Sequence, residues 1–176
     1  MRARTALLAA ALVVGGCGSS SDTVTVTRTE TETVTRTETT AADATALPDA
    51  VEETRRGILA AAEAKDWDAL EPYVTDRLNY TFGGPVEGGA IAYWKRLEAK
   101  GEDPLGTLAR ILQLPSTLTQ GTYIWPWAYS VQQSELTAYE KQLLGDLADD
   151  YVDGSYYGWR AGIAPDGTWT FFVAGD

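Results

Sequence analysis

The chain has no histidine and a single cysteine among its 176 residues. The lack of histidine removes Ser-His-Asp and Cys-His nucleophiles, imidazole general bases and histidine-ligated zinc or iron. Any chemistry must run on Asp, Glu, Lys, Tyr or an oxygen-bound metal. The densest run of such groups is Asp146-Leu-Ala-Asp149-Asp150-Tyr-Val-Asp153-Gly154. These acids follow an expected helix, where negative charge opposes the macrodipole. Either the helix stops near Gly145, or a cation such as calcium sits there, or one carboxylate is a working acid or base. The spacing lacks the alternating acids of an EF-hand loop, and no metal or other cofactor is assigned. Asp150, Asp153 and Glu87 are the candidate acid-base or cation-holding residues.

A second set could bind rather than react. Tyr123, Trp125, Trp127 and Tyr129 alternate along one expected strand, which places four large rings on one face. Pro126 lies within it and has no N–H for a sheet ladder, so the strand is an edge or carries a bulge. Each ring buries about 150 to 250 Å². Four such rings are either core or the lining of a cavity for a sugar ring or a lipid tail. Arg160 and Lys141 are the only basic residues after Arg110. Arg160 either forms a surface ion pair with the nearby acids or binds a carboxylate inside the cavity.

The lone cysteine, Cys17, closes an apolar run from Ala6 to Gly16 that follows Arg2 and Arg4 and precedes Gly18-Ser19-Ser20-Ser21-Asp22. Positive, apolar, small and then polar is the order of a signal peptide, and the run is too short to span a bilayer. Val14-Gly15-Gly16-Cys17 resembles a bacterial lipobox. That resemblance implies cleavage before Cys17, a diacylglyceryl group on its sulfur, and an extracytoplasmic protein anchored in the cell membrane. Ordinary cleavage that leaves a free thiol is the other reading. The mature chain would carry 12 basic against 25 acidic residues, a net charge of −13. Such a charge disfavours nucleic acid and anionic lipid surfaces. The expected partners are therefore the membrane, through the lipid, and a small molecule or envelope component.

The elements that must position these residues divide the chain into a signal peptide over 1–16, a lipidated threonine-rich disordered tether over 17–43 and one domain over 44–176. In the tether threonine alternates from Thr23 to Thr39, and both sets of alternating residues are mostly polar and bury little. Pro48 and the acids after it start a helix with Val51, Ile58 and Ala62 inside. Asp66 caps a short second helix, and Leu78, Tyr80 and Phe82 alternate as an inward-facing strand. After a glycine turn, Ile91, Trp94 and Leu97 form the stripe of a third helix. Asp103-Pro104 opens a fourth, Ser134 a fifth with Leu136, Leu143, Leu147 and Tyr151 inside. Pro165-Asp166-Gly167 joins two strands as a hairpin, with Trp169, Phe171 and Val173 on one face of the second.

The predicted fold is α+β, with helices packed on a curved, mostly antiparallel sheet of about four strands. Ile58-Leu-Ala-Ala-Ala-Glu-Ala-Lys-Asp-Trp-Asp-Ala-Leu-Glu-Pro-Tyr-Val74, with the strand after it, resembles the opening of nuclear transport factor 2-like (SnoaL-like) domains. The resemblance implies a sheet closing over a conical pocket, in which some members use an Asp, Glu or Tyr as acid or base. The segments Tyr80–Gly84, Ile124–Pro126 and Gly158–Arg160 are similar to a group of bacterial proteins without an assigned activity. Two functions follow as expectations: a non-enzymatic, lipid-anchored domain that binds a ligand or partner, or an acid-base enzyme with an aromatic-lined pocket.

Overall fold

A computed structural model describes residues 46–175. Cys17 and the expected signal peptide and tether lie outside the described residues. Helix α1 (Asp49–Glu63) starts after Pro48 with Asp49 and Glu52 in its first turn, and buries Val51, Ile58, Ala61 and Ala62. The Asp66 carboxylate accepts from the backbone N–H groups of Asp68 and Ala69, which caps α2 (Trp67–Leu70). Helices α3 (Gly89–Glu98) and α4 (Pro104–Leu112) follow. Asp103 caps α4 through the Gly106 N–H and is also ion-paired with Lys65.

The sheet is antiparallel in the order β1-β2-β5-β6, formed by β1 (Thr117–Thr119), β2 (Thr122–Trp125), β5 (Arg160–Ile163) and β6 (Trp169–Val173). Between its halves lie α5 (Ala138–Leu144) and a two-stranded ribbon of β3 (Tyr151–Val152) and β4 (Ser155–Tyr156). The fold is therefore α+β. Helices α1 and α4 pack on one face of β5, while Trp94 of α3 stacks on Trp169 of β6 at 5.5 Å and meets Phe172 at 5.4 Å. Ala161 and Ile163 point into this core. Ile124 and Gly162 are register partners on the opposite face.

Several sequence expectations change. Leu78–Phe82 is not a strand: Asn79 alone bridges Phe171, giving its N–H to Thr170 and accepting from Phe172, both at 2.9 Å. Leu78 is buried but Phe82 is exposed, so the alternation did not mark a buried face. β2 ends at Trp125, because Pro126 has no N–H to continue the ladder. Trp127 and Tyr129 sit in a 3₁₀ turn over Trp127–Ser130. The aromatic stripe is accordingly split: Trp125 and Trp127 are core, and Tyr129 is exposed.

Helix α5 is capped by Thr137 rather than Ser134. Thr137 and Glu140 form a reciprocal capping box, which uses more backbone groups than a lone serine can. Leu144 is buried and Leu143 exposed, one position on from the expected stripe. On β6, Ile163 pairs with Trp169 and Gly162 with Phe171, so Thr170 is an extra residue. A one-residue bulge exchanges the faces beyond it. Phe172 enters the core, and Phe171 turns outward across Gly162.

Candidate functional site

The outer face of the sheet carries a groove of about 230 Å³ lined by Thr119, Gln120, Thr122, Ile124, Tyr129, Arg160 and Phe171. Each strand contributes through its alternation. Thr119 and Thr122 are cross-strand partners, as are Ile124 and Gly162. The Phe171 ring occupies the space above Gly162, where an added Cβ would come within 2.2 Å of it. Only glycine leaves room for this wall.

Arg160 is buried, at 8% exposure, although it stands on the outer face. It donates to the carbonyls of Gly175 at 2.7 Å and Gly158 at 3.5 Å. Its guanidinium carbon lies 5.2 Å from the centre of the Tyr129 ring and 5.7 Å from that of Phe82. Those rings are 39% and 51% exposed. An arginine on aromatic faces keeps its charge while the rings hold its plane in place. Of the expected ligand-lining residues, Tyr129 and Arg160 meet here. Tyr123 is half-buried against the inner core, alongside Trp125 and Trp127. Phe82 and Phe171 were not singled out as site residues in the sequence. Only their size and aromaticity hinted at a role, because a bulge and a non-strand loop decide where they point.

The acidic candidates stand apart from this groove. Glu87 and Asp153 are exposed, and Asp150 is half-buried. Helix α5 ends at Leu144, ahead of the acids, and Arg110 of α4 reaches its C-terminus. There Arg110 donates to the Leu144 carbonyl at 2.7 Å and lies 3.7 Å from the Asp146 carboxylate. A cation therefore meets the negative helix end, and the acids continue in a 3₁₀ turn over Gly145–Asp150. Burial and the neighbouring Asp149 push the Asp150 carboxyl above its ordinary value. The Asp150 Oδ2 and Tyr156 Oη both lie within 2.4 Å of where a Cβ on Gly158 would sit. Burial first, and the Asp150 charge second, raise the Tyr156 phenol. Burial also pushes Tyr151 up to about 12, and its hydroxyl lies 3.0 Å from the Ala128 carbonyl and 3.2 Å from that of Val131. Among the described residues no three acidic groups converge as a metal site.

The groove opens to solvent. No protein-family model matches the chain, and neither a curated protein nor a solved structure matches it.

Proposed function

We propose that the chain is a lipid-anchored, extracytoplasmic and non-enzymatic binding domain, whose ligand lies in the outer-face groove between Tyr129, Arg160 and Phe171. The observation that carries this reading is the exposed Tyr129 ring held against a buried arginine, with Phe171 lining the same groove, on the sheet face away from α1 and α4. Exposed aromatics grouped at one place favour a recognition surface. At about 230 Å³ the groove is smaller than the usual ligand pocket of roughly 300 Å³ or more. The expected ligand is accordingly one ring, stacked on Tyr129 or Phe171, with its polar edge toward Thr119 and Thr122. Anchoring rests on Cys17 and the order of residues around it.

Native mass spectrometry of the full chain, taken from a host membrane extract, tests the groove. One defined adduct should be retained, weakened at least tenfold by Tyr129→Ala, and unchanged by Tyr139→Ala, which alters an exposed ring on α5. An adduct indifferent to Tyr129, or none at all, rejects the reading. Cys17→Ser should move the protein out of the membrane fraction, and persistence there would reject the anchor.

A further inference from the structure

A second groove, of about 330 Å³, is lined by other residues. Its walls hold four aromatic rings from three segments: Tyr80 and Phe82 after α2, Tyr93 on α3, and Trp159 before β5. Among the described residues, Glu102 is the one charged side chain lining it. We propose that this groove binds a small organic cation of the trimethylammonium kind, held by the aromatic faces and by Glu102. The proposal goes beyond the binding reading above and does not rest on it.

The walls are fixed before any ligand arrives. Trp159 is backed by Phe172 at 4.5 Å between ring centres. Tyr80 lies 5.8 Å from Tyr93 and 6.3 Å from Trp94, and its hydroxyl accepts from the Val86 N–H at 2.9 Å. Glu102 is positioned by the end of α3. Gly101 takes φ +94°, and the Glu102 N–H returns to the Leu97 carbonyl at 3.1 Å, the wrapping bond of a Schellman motif. That bond sets Glu102 beside Leu97, and both line the groove. Ordering these groups in advance lowers the entropy lost on binding.

The composition of the lining selects the ligand class. A divalent ion needs six or more oxygen ligands, and one carboxylate does not supply them. A neutral sugar needs several fixed polar partners, and of the polar groups on the described lining residues Tyr80, Thr81, Tyr93, Glu102 and Trp159, the Tyr80 hydroxyl is already engaged by the Val86 backbone. A soft, weakly hydrated cation needs ring faces and one opposite charge. The basic groups of α3 are turned elsewhere: Lys95 lies over the Trp67 ring and Arg96 donates to the Glu87 carbonyl. Arg160 faces Phe82 as well, but it lines the first groove and donates to the Gly158 and Gly175 carbonyls. The chain's net charge of −11 adds a long-range attraction for cations.

The test uses the full chain with Cys17→Ser and choline chloride as probe, at matched ionic strength, read by saturation transfer to the choline methyl protons. Choline should bind, and 3,3-dimethylbutanol, which has the same shape without the charge, should bind about tenfold more weakly. Glu102→Gln should weaken choline by about two- to fivefold, the cost of losing one exposed opposite charge. Tyr93→Leu should weaken it further. Glu102 is exposed, so its variant remains readable even where the tyrosine variant unfolds. Equal binding of the neutral isostere, indifference to Glu102→Gln, or absence of transfer overturns the proposal. Once choline binds, co-flotation with phosphatidylcholine vesicles assigns a lipid headgroup, and absence of co-flotation assigns a free cation.

Discussion

Gly84 and Gly167 have nearly the same backbone, with φ of +83° and +86°, but different surroundings. A Cβ on Gly84 would meet nothing within 4 Å, whereas one on Gly167 would lie 2.8 Å from the Ala50 carbonyl oxygen and 3.1 Å from the Thr54 hydroxyl. The left-handed conformation alone costs an L residue about 1–2 kcal/mol, and this applies to both alanine variants. At Gly167 the obstacle is helical backbone, which cannot rotate away, so overpacking adds about 1–3 kcal/mol. The Thr54 hydroxyl donates to the Gly167 carbonyl at 2.7 Å, and a shifted turn would lose up to about 1 kcal/mol there as well. Gly167→Ala should therefore cost about 2–6 kcal/mol and Gly84→Ala about 1–2 kcal/mol. In urea, at roughly 1–3 kcal/mol per molar, the two midpoints should differ by about 1 M with equal slopes. Equal midpoints would refute the docking of the β5–β6 hairpin on α1.

Two carboxylates should respond to pH with opposite signs. The Arg55 guanidinium, then Arg56, hold Glu52 down to about 2 from 4.5. The resulting stability is present above pH 4.5 and is lost as pH falls toward 2. With Arg56 largely exposed the loss is about 1 kcal/mol after screening, and Glu52→Gln should flatten that part of a urea-midpoint profile. Asp150 is raised by burial, so its protonated form favours folding and its ionised form opposes folding at neutral pH. Asp150→Asn should raise the midpoint at pH 7 and leave it unchanged in strong acid; a fall at pH 7 would contradict the assignment. Gly162→Ala should displace the Phe171 ring, which an added Cβ would meet at 2.2 Å. Overpacking of this kind costs about 1–3 kcal/mol, and the variant should also lose the outer-groove adduct. Retention of both midpoint and adduct would show that Phe171 does not wall the groove.

What was legible in the sequence is what short range decides. Asp66 and Asp103 cap their helices because the donors they satisfy lie within three residues. Pro165-Asp166-Gly167 makes its turn through a bond from the Gly167 N–H to the Ala164 carbonyl and through Asp166 accepting from Thr168. The stripe of Trp94 and Leu97 follows from the helical period. Where two local solutions compete, proximity misleads: Ser134 can cap, but Thr137 with Glu140 caps better. Arg110 went unread because its partner, the Leu144 carbonyl, is 34 residues away.

The outer-face groove belongs to the long-range class, and this explains why half of its aromatics were missing from the reading by alternation. A strict period of two on β6 sends Phe171 inward with Trp169 and Phe172 outward. The bulge at Thr170 reverses that order, and Thr170 itself secures the bulge, because its hydroxyl donates to the Gly162 carbonyl at 2.8 Å. One displaced residue thus completes the core stack of Trp94, Trp169 and Phe172 and at the same time supplies the outer wall. The same strand pair makes the other side of the groove possible. Gly162 leaves room for Phe171, while Arg160, two residues earlier and on the same face, stays buried between Tyr129 and Phe82. A regular hairpin would bury Phe171 and leave Arg160 beside Phe172, so the irregularity links the packing of the domain to the surface proposed to bind.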